Sequence, residues 1–361
     1  MDSGAGSHAT RQVRVLVVDD SAFMRKVLTD LLQTEPSILV LGTARDGLDA
    51  VEKTLALQPD VITLDIEMPK LDGYGALREI MNKRPTPVVM VSSLTREGAE
   101  ATVRSLAMGA VDFVAKPSGS ISLNMHVARD ELVAKVKNAA TATPRYRRVL
   151  GDLPPIRREA KAEHRLLPDA GPLPRQVVMI GCSTGGPGAL HQVIPKLPAD
   201  LNAGVLVVQH MPPGFTRSLA QRLDEISAIP VKEAEVGDQV TAGHVLVAPG
   251  GYHMLIDQSG HVTLNQDPAV HGVRPAADKT FESIIPTWGA RLTGVILTGM
   301  GYDGAKGMMG VKKVGGRTIA EDASTCVVYG MPKVCVEMGV ADHVLPVHDI
   351  ADMIVRLVRE G

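Results

Sequence analysis

Residues 13–20 read VRVLVVDD, a β-branched apolar run of six ending in two carboxylates, which is how a buried parallel strand delivers its chain to the edge of a sheet. The same event recurs. ILVLGT (38–43), DVITL (60–64), PVVMV (87–91) and VDFVA (111–115) are further runs of this kind. Helical patterns near 22–34, 48–57, 74–81, 96–107 and 126–139 follow them. Short buried strands alternating with helices predict an α/β domain built on a five-stranded parallel sheet.

A second series starts at QVVMIG (176–181) and GVLVVQ (204–209). It passes through several short strands between 231 and 265 and a helix near 278–288, then resumes with GVILT (294–298), RTIA (317–320), CVVY (326–329), HVLP (343–346) and a last helix. This predicts a doubly wound, mostly parallel α/β domain with an inserted β-rich excursion. Between the series the chain is rich in Arg and Pro without a sustained apolar period, so it cannot bury a core of its own. The expected organisation is one domain over 12–139, a linker over 140–175 and a second domain over 176–358.

Composition narrows the function. The 361 residues are 45% hydrophobic and 22% charged, which suits two folded domains and excludes disorder over most of the chain. A net charge of −2 gives nucleic acid or an anionic membrane nothing to be attracted by, and 3% aromatics leave little for base stacking. Three scattered cysteines make no disulfide framework or C-x-x-C metal site. No run approaches a membrane span and the N-terminus lacks the apolar stretch of a signal peptide, so a cytoplasmic protein without membrane insertion or nucleic-acid partner is expected.

In open α/β sheets, ligands sit beyond the carboxyl ends of the strands, so polar residues following strands come first. Asp19 and Asp20 follow the first strand, Asp65 the third, Ser92 the fourth and Lys116 the fifth. Each aspartate alone reads as a helix cap. Three carboxylates converging on one edge would repel one another unless a hard cation such as Mg²⁺ sat between them, and a lysine and a hydroxyl beside them suit a phosphoryl group. This pattern, with LDIEMPKLDG after the third strand and KP after the fifth, resembles the flavodoxin-like receiver domain of two-component response regulators over about 12–139. The resemblance implies that Asp65 accepts a phosphoryl group from a histidine kinase and that Asp19, Asp20 and Asp65 hold Mg²⁺. It further implies that Lys116 contacts the phosphate and that Ser92 and Phe113 act as the switch pair, although a small α/β core would also favour Phe at 113.

In VVMIGCSTGGPGAL, Gly181, Ser183 and Gly185 fit the nucleophile-elbow pattern G-x-S-x-G. Ser183 and Thr184 could equally cap the helix that follows. His210 ends a strand 27 residues later, where a neighbouring parallel strand would bring it to the same edge, and a strand-end histidine is often a bystander. Asp303 follows a third strand in GVILTGMGYDGAKG. Nucleophile, base and orienter at one sheet edge are what acyl transfer requires.

IGCSTGGPGAL, VVQHMPPGFTRSLAQRL, HGVRPAADKTFESI and ILTGMGYDGAKGM are together similar to the catalytic domain of the chemotaxis protein-glutamate methylesterase (CheB) family. That resemblance implies phosphorylation-activated hydrolysis of glutamate γ-methyl esters on methyl-accepting chemotaxis receptors, with methanol released, and deamidation of receptor glutamines. It assigns Ser183 as nucleophile, His210 as general base and Asp303 as orienter. Met300 would contribute an oxyanion-stabilising N–H, Thr184 would line the site, and the esterase reaction would need no cofactor. Cys182 stands where the family has a small alanine, which raises the question of an oxidation-sensitive thiol beside the serine.

Rival readings are a dinucleotide site on Gly299, Gly301 and Gly304 with Glu321 as its acid, and a triad pairing Asp303 with His343 or His348. A third is a non-enzymatic adaptor whose phosphorylated receiver docks a partner. His244, His253, His261 and His271 lack metal-ligand spacing and read as surface or loop residues.

Overall fold

A computed structural model describes residues 11–116, 123–142 and 173–361. Pro117 and residues 143–172 of the linker expected over 140–175 lie outside these. The chain divides into two units, Met1–Ser93 with Ala110–Arg147 and Leu94–Gly109 with Arg148–Gly361.

The first series folds as β1 (Val13–Val18), α1 (Ala22–Gln33), β2 (Ile38–Ala44), α2 (Gly47–Leu57), β3 (Val61–Asp65), α3 (Gly73–Lys83), β4 (Val88–Ser92), α4 (Arg96–Ala107), β5 (Asp112–Ala115) and α5 (Leu123–Thr141). All five strands run parallel, as expected, and lie in the order β2-β1-β3-β4-β5. β1 and β3 are buried along most of their length, which is why they read as unbroken apolar runs rather than alternating ones. The chain steps to opposite sides of β1 on its way to β2 and β3, so the ends of β1 and β3 flank the switch point and carry Asp19 and Asp65 to one crevice.

The second series folds as β6 (Gln176–Cys182), α6 (Gly186–Val193), β7 (Ala203–Gln209), α7 (Phe215–Ile226), β8 (Val231–Glu233), β9 (Val245–Val247), β10 (His253–Ile256), β11 (Val262–Asn265), α8 (Ala277–Trp288), β12 (Leu292–Ile296), α9 (Ala305–Lys313), β13 (Arg317–Glu321), α10 (Met331–Glu337), β14 (His343–Leu345) and α11 (Val347–Glu360). Seven strands form one parallel sheet in the order β14-β13-β12-β6-β7-β9-β8. The β-rich excursion divides its strands: β8 and β9 extend this sheet, while β10 and β11 pair antiparallel as a separate ribbon. The core packs Val177, Met179 and Leu206 against Phe281, Ile284, Trp288 and Met308, and the single tryptophan donates its ring N–H to the Pro174 carbonyl at 3.0 Å.

CVVY (326–329) is not a strand. Its residues cross the end of the sheet, held by Val328 N–H donating to Thr298 Oγ1 (2.9 Å) and by one isolated bridge between Gly299 and Tyr329. An apolar run covered by its neighbours has the same composition as a short buried strand, so composition cannot separate them.

His191 in α6 is buried; its Nδ1–H donates to the Pro187 carbonyl at 2.7 Å, and Nε2 is buried with no hydrogen-bond partner. Burial therefore pushes its pKa down to about 4. The unfolded chain protonates an ordinary histidine near ~6.5, so it binds more protons than the folded one between these values, and stability falls as pH drops through that window, by up to roughly 3 kcal/mol. His191→Leu should flatten this acid loss in urea midpoints compared between about pH 7 and pH 4.5. An unchanged loss would exclude His191 as its source.

Candidate functional site

The strand ends of each sheet present one site. In the first, Asp19 follows β1 and Asp65 ends β3, both fully buried, and Asp20 lies beside them, exposed. One carboxylate oxygen from each falls within 4.8 Å of the others. Lys116 Nζ lies 2.7 Å from Asp65 Oδ2 and 3.2 Å from Asp19 Oδ2. Asp65 Oδ1 also accepts from Ile66 N at 2.7 Å. Burial, helped by the Asp19 charge and opposed by the Lys116 ammonium, still pushes the Asp65 carboxyl up to about 6. Asp19 Oδ2 is buried with the Lys116 ammonium at 3.2 Å as its one close partner. A half-satisfied carboxylate beside another whose charge is disfavoured suits a hard divalent cation, so the oxygen donor set fits Mg²⁺. Ser92 ends β4 one step beyond Val91, the register partner of Asp65. Phe113 is buried in β5 with the Lys135 ammonium 4.8 Å from its ring centre.

In the second sheet, β6, β7 and β12 are neighbours, and the residues that follow them meet at one edge. Ser183 is the first residue past β6, and its N–H donates to the Thr298 carbonyl at 3.0 Å. The turn takes its left-handed residue at Gly185 (φ 80°), where a Cβ would also strike Val327, so Ser183 itself escapes that strain. The N-cap of α6 is Gly185 rather than Ser183 or Thr184.

His210 follows β7, and its Nε2 lies 2.8 Å from Asp303 Oδ2. Asp303 is buried at the start of α8 rather than capping its own helix: Oδ2 accepts from Ala277 N at 2.6 Å and Oδ1 from Asp278 N at 3.1 Å. Burial works to raise the Asp303 pKa, but the His210 hydrogen bond and charge and the two backbone N–H groups outweigh it, and the carboxyl titrates below its ordinary range. An ionised carboxylate only accepts, so His210 carries its proton on Nε2 and keeps Nδ1 as the basic nitrogen. Among the described residues, the Ser183 hydroxyl makes no hydrogen bond to His210; apo sites commonly leave this contact to be closed by substrate.

Met300 is half exposed in the turn after Thr298, and that turn is pinned by Gly330 N and Met331 N donating to the Gly299 carbonyl. Thr184 is buried, and its carbonyl accepts from Thr298 Oγ1 at 3.0 Å.

The rival assignments separate from this geometry. Asp303 pairs with His210, while His343 begins β14 and His348 is mostly exposed beside Asp349. Glu321 is buried at the end of β13 and accepts from Thr298 N (2.8 Å) and Thr325 Oγ1 (2.9 Å), so no ribose can reach it. His253 is a core histidine rather than a surface one, its Nδ1 accepting from Ala276 N at 3.2 Å. Thr298 and Glu321 together hold the floor under Ser183, a role the sequence reading missed; position after a strand was the available signal, and neither residue stands out as a nucleophile or base. Cys182 is buried, and burial pushes its thiol far up, which makes it a poor target for oxidation.

The fold and its two edges define a class: a flavodoxin-like domain with an acidic crevice that also holds a lysine, joined to an α/β domain carrying serine, histidine and aspartate at one strand edge. Residues 178–354 match the CheB methylesterase family and residues 15–128 the response regulator receiver domain. A protein-glutamate methylesterase/protein-glutamine glutaminase of Symbiobacterium thermophilum is 72% identical over 97% of this chain and 98% of its own. One of the same name from Thermotoga maritima is 49% identical over 96% of this chain and 99% of its own. The crystal structure of the Thermotoga maritima CheB methylesterase catalytic domain is 49% identical, covering 50% of this chain and 98% of that one with a TM-score of 0.49. The chain belongs to the CheB methylesterase family, with a receiver domain ahead of the esterase domain.

Proposed function

We propose that this chain hydrolyses glutamate γ-methyl esters on methyl-accepting chemotaxis receptors, deamidates receptor glutamines by the same route, and is activated by phosphorylation of Asp65 from the chemotaxis histidine kinase. The relatives above carry both activities in their names. The observation that carries the hydrolytic reading is the 2.8 Å His210–Asp303 bond beside Ser183. Ser183 Oγ adds to the ester carbonyl while His210 Nδ1 takes its proton, and Met300 N–H meets the developing oxyanion with Thr184 lining the site. His210 returns the proton to the leaving methoxide as methanol. Water then adds to the acyl-enzyme, its proton passing to His210, and glutamate and free Ser183 result. With an amide substrate the leaving group is ammonia.

In the receiver, Asp65 Oδ attacks the phosphoryl group of a phosphohistidine and Lys116 neutralises charge on its oxygens. Asp19, Asp20 and Asp65 would hold Mg²⁺, which supplies further charge neutralisation when bound. Ser92 would be drawn toward the phosphate as the switch hydroxyl, with Phe113 as the switch aromatic. Among the described residues no helix is long and apolar enough to cross a membrane.

Asp303→Asn should lower kcat for methanol release from methylated receptors by about 10³-fold or more with little change in KM, because the amide favours the wrong imidazole tautomer. A rate near wild type would dissolve the pair as part of the machinery.

A further inference from the structure

One buried side chain beside Ser183 and His210 has no part in the chemistry above. Gln209, the last residue of β7, is 2% exposed and touches both neighbours. We propose that Gln209 is a positioning residue of the esterase reaction: its carboxamide ties the backbone of the nucleophile to that of the base, and the Cys182 thiol steadies the amide by donating to its oxygen. The inference rests on the assignment of Ser183 and His210 made above.

β6 and β7 pair in parallel with Cys182 opposite Gln209, so Ser183 and His210 are the first residues beyond two adjacent strand ends. The ladder continues past that point with one bond, His210 N to the Cys182 carbonyl at 3.1 Å. Gln209 Nε2 adds two more, donating to the Ser183 carbonyl at 3.0 Å and the His210 carbonyl at 3.2 Å. Both partners are acceptors only, so the NH₂ end must face them and Oε1 must point the other way. It points at Cys182 Sγ, 3.0 Å distant, which can only be its donor. A thiol that stays protonated meets that demand, and burial keeps the Cys182 proton on. A Cβ at residue 186 would strike Gln209 Oε1, so the absence of a side chain at Gly186 shapes the slot that admits the amide. Gly186 N donates to the same Ser183 carbonyl at 2.8 Å, so that carbonyl is held from two sides.

Rotation of either peptide would strand buried polar groups, and the relative placement of Oγ and imidazole is thereby held. Misplacement of about 1 Å in such a constellation costs on the order of 10²-fold in rate. A residue that only filled space would be replaced by methionine without this loss.

Two readouts separate the possibilities. Gln209→Met should slow kcat for methanol release by about 10²-fold with KM within about twofold, and should slow phosphonylation of Ser183 by a serine-directed fluorophosphonate by the same factor. Cys182→Ser, which keeps a donor, should react about tenfold faster than Cys182→Ala in both assays, and this comparison decides the matter if Gln209→Met does not fold. Phosphonylation depends on no receptor: absence of methanol release from the wild type would strike the receptor-ester reading, while the phosphonylation ratios would still judge Gln209. Phosphonylation of Gln209→Met within threefold of wild type, or equal rates for the two Cys182 variants, would overturn the proposal.

Discussion

Replacing Ser183 with alanine should lower methanol release from methylated receptors by at least ~10³-fold, and His210→Ala should do the same. The two losses should not add. Removing the hydroxyl leaves the base without a proton to take; removing the imidazole leaves a serine whose hydroxyl is a weak nucleophile at neutral pH. What survives in either variant is substrate binding and the oxyanion contact assigned to Met300. The Asp303 carboxylate, held ionised by two N–H groups at the start of α8, still finds no imidazolium to stabilise in His210→Ala. Methanol measured by gas chromatography over a range of enzyme concentrations checks this, and a double variant as slow as either single one would show that the pair acts as a unit. Near-wild-type release from either single variant would contradict the assignment. It would also restore the reading of the two domains as an adaptor without hydrolysis.

Asp65→Asn should abolish the stimulation of esterase activity by a small phosphodonor with Mg²⁺. Asp65 is buried at the switch point of its sheet with Lys116 2.7 Å away, and burial already disfavours its charge. A phosphoryl group adds about −1.5 to −2 charge in that crevice, a large local change for the Lys116 and Ser92 side chains to answer. Asparagine cannot form the acyl phosphate, so no such change follows. A second arm asks how the signal acts. Deleting residues 1 to about 140 should raise basal activity if the unphosphorylated receiver restrains the esterase, whereas a truncated chain no faster than the unphosphorylated whole would refute restraint. Stimulation surviving in Asp65→Asn would place the phosphate elsewhere.

Much of this was legible in the sequence because both domains follow one grammar: a β-branched run, then a polar residue at the edge of the sheet. Asp19, Asp65, Ser183 and His210 all obey it, and so the parallel sheets and their polar edges could be read from 13–115 and 176–303, whereas the strand orders could not. Asp303 obeys it less closely, lying seven residues past the end of β12, where Thr298 and the Gly299–Gly301 turn intervene. What escaped the reading were residues whose task is defined by partners distant in sequence. Gln209 looks like the polar end of a strand, and only the parallel register of β6 and β7 reveals that its amide spans two carbonyls. Glu321 looked like a ribose-binding acid because a Gly-rich turn precedes it, yet it lies buried against Thr298. CVVY looked like a strand because a crossing segment pressed onto a sheet end is as apolar as a strand inside one.

The central claim is that ester hydrolysis passes through Ser183. Treating the full chain with a serine-directed phosphonate, locating the adduct by peptide mass spectrometry and assaying the same sample for methanol release tests it most directly. A single phosphonyl group on the peptide containing Ser183, with loss of methanol release in proportion to its occupancy, is the predicted result. Undiminished release from chains fully modified at Ser183, or inactivation that maps to another residue, would contradict it.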